Sequence, residues 1–370
     1  AQLGRTRALG GHGEAAAAWL ERALTLAERL QLPEVFVEAL TSKAVVLLTQ
    51  GRLAEARILL EAAAARAHAE QLYASALRAE NNLAAVLEAS DRHGEAFDVG
   101  ERAIVLARRR GDRRWESILR TGTLPFLVLL GRWDEALAIA AEEEPLVASE
   151  FVRGQMLSAV LILCERGDLE PARALLAAAD PLRDGDNPQT RAGYAVAEAW
   201  LLRAEGQHSE ALAAAERALA LRGELAITDA SIKSALVEAT EAALAVPDLD
   251  KAEELLALPE SLERGELTPF LHANTARMRA RLDAARGNHE QVEERLRSAA
   301  SLCREFGLTF HLAVTQLEHA EWLTTQNRSD EAQPLLTEAR QAFEQLQATP
   351  WLQRAAQVTP TRRESEAAIS

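Results

Sequence analysis

Gly51-Arg52-Leu53-Ala54-Glu55-Ala56 constrains this chain more than any other stretch, because the chain repeats it. A glycine or small turn residue, followed four and five places on by Glu-Ala, returns as Gly10 to Ala15, Asp91 to Ala96, Gly131 to Ala136 and Gly206 to Ala211. Weaker copies start at Gly167, Pro247, Gly287 and Asn327. The lead positions 10, 51, 91, 131, 167, 206, 247, 287 and 327 are separated by 41, 40, 40, 36, 39, 41, 40 and 40 residues. A period that steady over nine copies marks an array of helical repeats, in which each unit packs only on its neighbours. The fold class expected is all-α: a right-handed superhelical solenoid of antiparallel helix pairs.

Composition supports this. The chain is 48% hydrophobic but only 4% aromatic, which favours closely packed Ala- and Leu-rich helices over sheets. Its 370 residues would ordinarily suggest two or three domains, but a solenoid has no single core that must grow. The net charge of −15 argues against a phosphate backbone as main partner, so no nucleic-acid partner is expected. Basic runs such as Arg108-Arg109-Arg110 read as cations at a helix C-terminus. Two cysteines, Cys164 and Cys303, exclude a disulfide framework and suit a reducing cytoplasm. No run of 18 apolar residues and no signal peptide is present, so no membrane association is expected. Ala1 to Leu9 lack an initiator Met and read as the tail of a helix, as in a piece of something longer.

Each repeat reads as two helices. The spacing predicts first helices over 34–50, 72–90, 113–130, 151–166, 189–205, 227–245, 268–286 and 308–326. Second helices are expected over 13–31, 52–70, 92–110, 132–147, 168–179, 207–222, 248–257, 288–306 and 328–347. The lead Gly supplies the positive φ that ends the first helix of a pair. Pro125 is expected to kink its helix, and a loop is expected from Pro259 to Pro269. One superhelix over 1–356 follows: a partial first repeat 1–31, eight pairs over 34–347 and a short capping helix 349–356. An irregular seam is expected near 142–190, where Glu142-Glu143-Glu144-Pro145 and Asp180 to Pro188 interrupt the pattern, and a frayed tail over 357–370.

The repeat resembles the tetratricopeptide family, whose helix pairs carry Gly-x-Tyr-x-Glu-Ala at the turn and small residues where the helices cross. Ala44, Ala84, Ala199, Ala280 and Ala320 match the small site of the first helix, and Ala63, Ala103, Ala218, Ala299 and Ala339 the late Ala of the second. Helices that cross closely tolerate only a small side chain there. The family unit is about 34 residues, so the extra length falls in the second helix and the connection after it. Long units of this kind look like the arrays of large bacterial signalling ATPases. Those join a nucleotide-binding module to an adenylate cyclase domain or a LuxR-type DNA-binding domain. Leu30-Gln31-Leu32, Arg110 to Glu116, and the closing Phe343 to Ala355 carry that likeness.

No phosphate-binding loop, zinc-protease motif, nucleophile elbow or Cys-x-x-Cys is present, so no catalysis, cofactor or metal is expected. His12, His93, His208 and His289 share one repeat slot with Leu53, Trp133, Leu169 and Leu249, which marks the slot as a packing site. His311 and His319 are eight apart on one helix face, a spacing unlike an i, i+4 ligand pair. What remains is surface. The resemblance implies that first helices line a concave face, with candidates Glu38, Thr41, Arg78, Asn81, Thr121, Ser234, Glu241, Asn274, Arg277 and Arg281. Such a groove would grip a protein, a peptide or an adjoining domain of the same chain through amide and guanidinium donors. The reading is a non-catalytic sensor scaffold of a signalling ATPase or cyclase. The alternatives are the effector-sensing arm of a LuxR-type regulator and a freestanding adaptor.

Overall fold

This computed structural model describes residues 13–142, 149–263 and 265–358, and every regular element among them is helical. Helix α1 (Gly13–Arg29) is the first of the described helices. Pairs follow in chain order: α2 (Pro33–Thr49) with α3 (Leu53–Ala69), and α4 (Tyr73–Ala89) with α5 (His93–Arg110). Next, α6 (Arg113–Gly122) and α7 (Leu124–Leu129) pair with α8 (Trp133–Glu142), then α9 (Glu150–Met156) and α10 (Ser158–Arg166) with α11 (Leu169–Ala178). The second half holds α12 (Pro188–Ala204) with α13 (His208–Leu219), and α14 (Ala230–Ala245) with α15 (Leu249–Glu260). It ends with α16 (Pro269–Ala285) and α17 (Val292–Glu305), α18 (Thr309–Thr325) and α19 (Ser329–Leu346), and the closing α20 (Thr349–Gln357). Neighbouring helices pack on one another throughout, which is the expected all-α array of helix pairs.

The pair turn is a left-handed cap. Gly51 sits at φ +74°, the amide of Arg52 bonds the carbonyl of Leu47 (2.9 Å), and that of Gly51 bonds Leu48 (3.0 Å). This is the paired 6→1 and 5→2 closure of a Schellman motif. Its 6→1 bond recurs as Arg92 to Leu87, Arg132 to Leu127, Asp168 to Leu163, Gln207 to Leu202 and Arg328 to Leu323. Asp91 and Asn327 hold the left-handed position at φ +58° and +59° where the glycine is missing. The Glu of the motif pairs with the Arg after the lead residue, as in Arg52–Glu55, Arg132–Glu135 and Arg328–Glu331. Such exposed pairs contribute at most about 1 kcal/mol each. The packing comes from the alanines. Ala44, Ala199, Ala280, Ala320, Ala63, Ala103, Ala218, Ala299 and Ala339 are all fully buried, and Ala84 is nearly so.

Three local features qualify the expected helices, the first of them the break anticipated at Pro125. The first helix of the Pro125 repeat divides at Thr123, because Pro125 has no N–H to give and its ring crowds the carbonyl four residues back. The helix expected over 151–166 divides at Leu157, with i to i+3 bonds from Leu157 to Gly154 and from Val160 to Leu157. Pro259 lies in the last turn of α15, so the loop begins only at Ser261. Residues 143–148, most of the acidic bend, lie outside the described residues, as do the opening stretch through His12 and the tail from 359.

The array also folds back on itself. Phe270 donates its amide to Asp91 Oδ2 (2.6 Å), Thr309 Oγ1 donates to the Leu130 carbonyl (3.0 Å), and Arg166 Nε donates to the Leu346 carbonyl (3.0 Å). Those partners are 179, 179 and 180 residues apart. Pair turns of one stretch therefore sit against the starts of first helices about four and a half repeats later. Lys233, buried on α14, strengthens this seam by pairing with buried Asp91 and donating to the Glu88 carbonyl (3.3 Å). Aromatic packing joins the same two turns. Trp133 meets Phe310 at 5.3 Å between centroids, Phe310 meets Trp351 at 5.4 Å, and Trp351 stacks on Phe343 at 5.7 Å. Each such pair adds about 0.5–1.5 kcal/mol beyond its buried area.

Candidate functional site

Inside that closed turn lies a cavity of about 450 Å³, lined chiefly by first helices α10, α12, α14, α16 and α18 and by the closing helix α20. One polar feature runs along its wall. Charges alternate in sign from each first helix to the next: Glu165 on α10, Arg203 on α12, Glu238 and Glu241 on α14, Arg277 and Arg281 on α16, Glu318 and Glu321 on α18, Arg354 on α20. The helices stack side by side, so residues one repeat apart become neighbours. Arg203 bridges Glu165 (Nη2, 2.6 Å) and Glu238 (Nε, 2.7 Å). Arg277 bridges Glu241 (Nη2, 2.6 Å) and both oxygens of Glu318 (Nη1, 3.1 Å). Arg281 pairs with Glu241 and approaches Glu318 at 3.2 Å, and Arg354 holds Glu321 with two bonds of 2.8 and 2.7 Å.

Burial sets the electrostatics. It works to raise the Glu241 carboxyl, but Arg281 and Arg277 outweigh it and hold the group well below the usual carboxylate range. The Glu238 carboxyl is raised by burial, which Arg203 offsets only in part. His311 stands edge-on to Phe270 and Phe310, and burial followed by the nearby Arg277 pushes it down to about 3, so its ring is neutral. Burial raises the Cys164 thiol on the same wall to about 12, which makes it a poor nucleophile. Among the described residues, no group of three His, Cys, Asp or Glu is placed to hold a metal ion.

The sequence-derived candidates divide into two sets. Ser234, Glu241, Arg277 and Arg281 line the cavity. Asn274 stands behind them, buried, accepting from Arg277 Nη2 at 3.4 Å and donating to the Phe270 carbonyl. The first-half set does not join this site. Arg78 pairs with Glu38 and donates to Ser42 Oγ (3.1 Å), and Asn81 lies half-buried one turn further on. Thr41 and Thr121 are buried, and Thr121 bonds back to the Ser117 carbonyl (2.8 Å), so neither offers a hydroxyl to a groove. Sequence reasoning passed over Glu165, Arg203, Glu238, Glu318, Trp200 and Trp351. The available signal was the alternation of sign at matching positions, such as Glu241, Arg281 and Glu321, forty residues apart. The shared His slot is mixed: His93 and Trp133 are buried, while His289 is exposed and accepts from Trp322 Nε1 at 3.3 Å.

Fold and cavity together define an all-helical repeat array with a polar, partly aromatic lumen. No family model matches the chain, and no curated protein matches it. Among solved structures it is similar to a monomeric mutant of IFIT1 with m7Gppp-AAAA and to another with Gppp-AAAA. Each is 17% identical over 88% of this chain and 78% of that one, at a TM-score of 0.43. The likeness lies in the helical-repeat fold. The expected exclusion of nucleic acid is withdrawn, since those IFIT1 structures hold m7Gppp-AAAA and Gppp-AAAA. Net charge is a sum over the whole surface and does not describe a concave wall that carries four guanidinium groups and three carboxylates. No helix among the described residues is long and apolar enough to cross a membrane.

Proposed function

We propose that this chain is a non-catalytic sensor scaffold that takes its effector into the lumen of the superhelix. The observation carrying this reading is the cavity itself, whose wall is assembled from five consecutive first helices and α20. A ligand there would touch elements spread over some 190 residues of chain, from Glu165 to Arg354, and could bias how successive repeats stack. A volume near 450 Å³ falls within the about 300–1,000 Å³ of small-molecule sites, which favours an effector or a peptide end over an adjoining domain. The likeness of the repeat phrases to large bacterial signalling ATPases suggests the host, and of its forms the effector-sensing arm of a LuxR-type regulator suits a cavity of this size best. The buried, unpaired thiols of Cys164 and Cys303 suit the reducing cytoplasm proposed for it.

The test is a thermal-shift screen of a metabolite library against the chain and against Ser234→Phe, which places a ring in the lumen. Compounds that stabilise the chain, lose their effect in Ser234→Phe and return chemically unchanged by mass spectrometry support the reading. Stabilisers that ignore the substitution, an absence of stabilisers, or turnover of a compound would each refute it.

A further inference from the structure

Resting on that reading, we infer that the lumen recognises a small carboxylate carried on an aromatic or apolar body. The argument is one of open valences. The wall carboxylates Glu165, Glu238 and Glu241, and Glu318 beside Arg277, are already engaged by protein donors. Glu241 accepts from Arg277 and Arg281 on separate oxygens, and Glu165 from Arg203 and Trp351. Glu318 accepts from Arg277 on both oxygens. Only Glu238 keeps an oxygen, Oε1, with no bond among the described residues. The guanidinium groups are less fully used. Arg203 Nη1, Arg281 Nε and Nη2, and Arg354 Nη1 make no hydrogen bond among the described residues.

Exposure points the same way. Among the charged groups that line the cavity, the side chains of Arg203, Arg281 and Arg354 remain 20%, 27% and 38% accessible, against 4%, 8% and 18% for Glu165, Glu238 and Glu241 and 4% for Arg277. Glu165, Glu238 and Glu241 share the wall, but the more accessible charge on it is carried by three of the guanidinium groups. A cation entering this lumen would have to share carboxylates that guanidinium groups already hold, whereas a carboxylate would complete unused N–H groups in the planar geometry that guanidinium favours. The rest of the wall selects the body. Trp200 and Trp351 are half-buried, and the Trp351 N–H is already bound to Glu165, so that ring offers a ligand its carbon surface and no donor. Leu129, Leu161, Val237 and Val314 complete the apolar side.

Isothermal titration of the full chain with matched trios tests this: indole-3-acetate, indole-3-ethanol and tryptamine, then phenylacetate, 2-phenylethanol and phenethylamine. The expected result is that the acid of at least one trio binds at least tenfold more tightly than its alcohol and its amine. Arg281→Met removes that preference, while the circular dichroism spectrum stays native. Ser234→Phe abolishes binding of every member. An alcohol or amine that binds as well as its acid, and is lost in Ser234→Phe, overturns the carboxylate assignment and leaves the lumen as the effector site. No binding in either trio overturns the assignment as well, and the library screen then decides the lumen separately.

Discussion

Gly131 and Gly51 occupy the same place in their repeats and nearly the same backbone conformation, φ +74° at each, but not the same surroundings. A Cβ on Gly51 would meet nothing within 4 Å. A Cβ on Gly131 would stand 2.8 Å from Thr309 Cβ, 3.0 Å from its Cγ2 and 3.1 Å from its Oγ1. Gly51→Ala therefore costs only the left-handed penalty, about 1–2 kcal/mol. Gly131→Ala adds the overpacking of the seam, about 1–3 kcal/mol more, because Thr309 begins a helix and has no flexible end to move aside. The total for Gly131→Ala is about 2–5 kcal/mol. Repeat arrays do not always unfold in one step, so urea denaturation is paired with hydrogen exchange. Gly131→Ala is expected to speed exchange in the first turns of α18, near Phe310 and Leu312, while Gly51→Ala leaves them unchanged. Equal costs for the two substitutions, with α18 protected in both, would refute the packing of one superhelical turn on the other.

Two further outcomes concern the same seam. Lys233→Met leaves the Asp91 carboxylate buried with the Phe270 amide as its remaining partner, and is expected to cost about 3–5 kcal/mol by chemical denaturation. A loss under 1 kcal/mol would mean that the pair is hydrated in solution. His93 is buried beside this pair, and burial, then Lys233, lowers it from 6.5 to about 4. The unfolded chain thus takes up a proton that the folded chain refuses. Stability from this group is full above pH 6.5 and is lost as pH falls from there towards 4, by on the order of 3 kcal/mol. Glu88, raised by burial to about 7, works in the opposite sense: its share is full below pH 4.5 and lost as pH rises towards 7. His93→Leu, which installs the residue found in three sister repeats, is expected to flatten the acid limb between pH 6.5 and 4. An unchanged limb would assign it to other groups.

Much of the fold could be read from residue spacing because each cause is local. A left-handed cap needs a particular residue type, and a close helix crossing needs an alanine, so Gly51 and Ala63 announce themselves wherever they stand in the chain. The same local logic placed Arg277 and Arg281 on the inner helices. It failed for Thr121, whose hydroxyl turns back to its own helix, and for Arg78, which closes on Glu38. Glu165 and Trp351 were harder, since their value comes from each other across 186 residues.

By itself, then, the sequence determined the repeat, its length, the position of nearly every helix and the small residues at their crossings. Tertiary structure alone decided the pitch. Small rotations between successive pairs accumulate, and only their sum brings Asp91 under Phe270 and Gly131 under Thr309. No single repeat encodes that sum, and the cavity exists because of it.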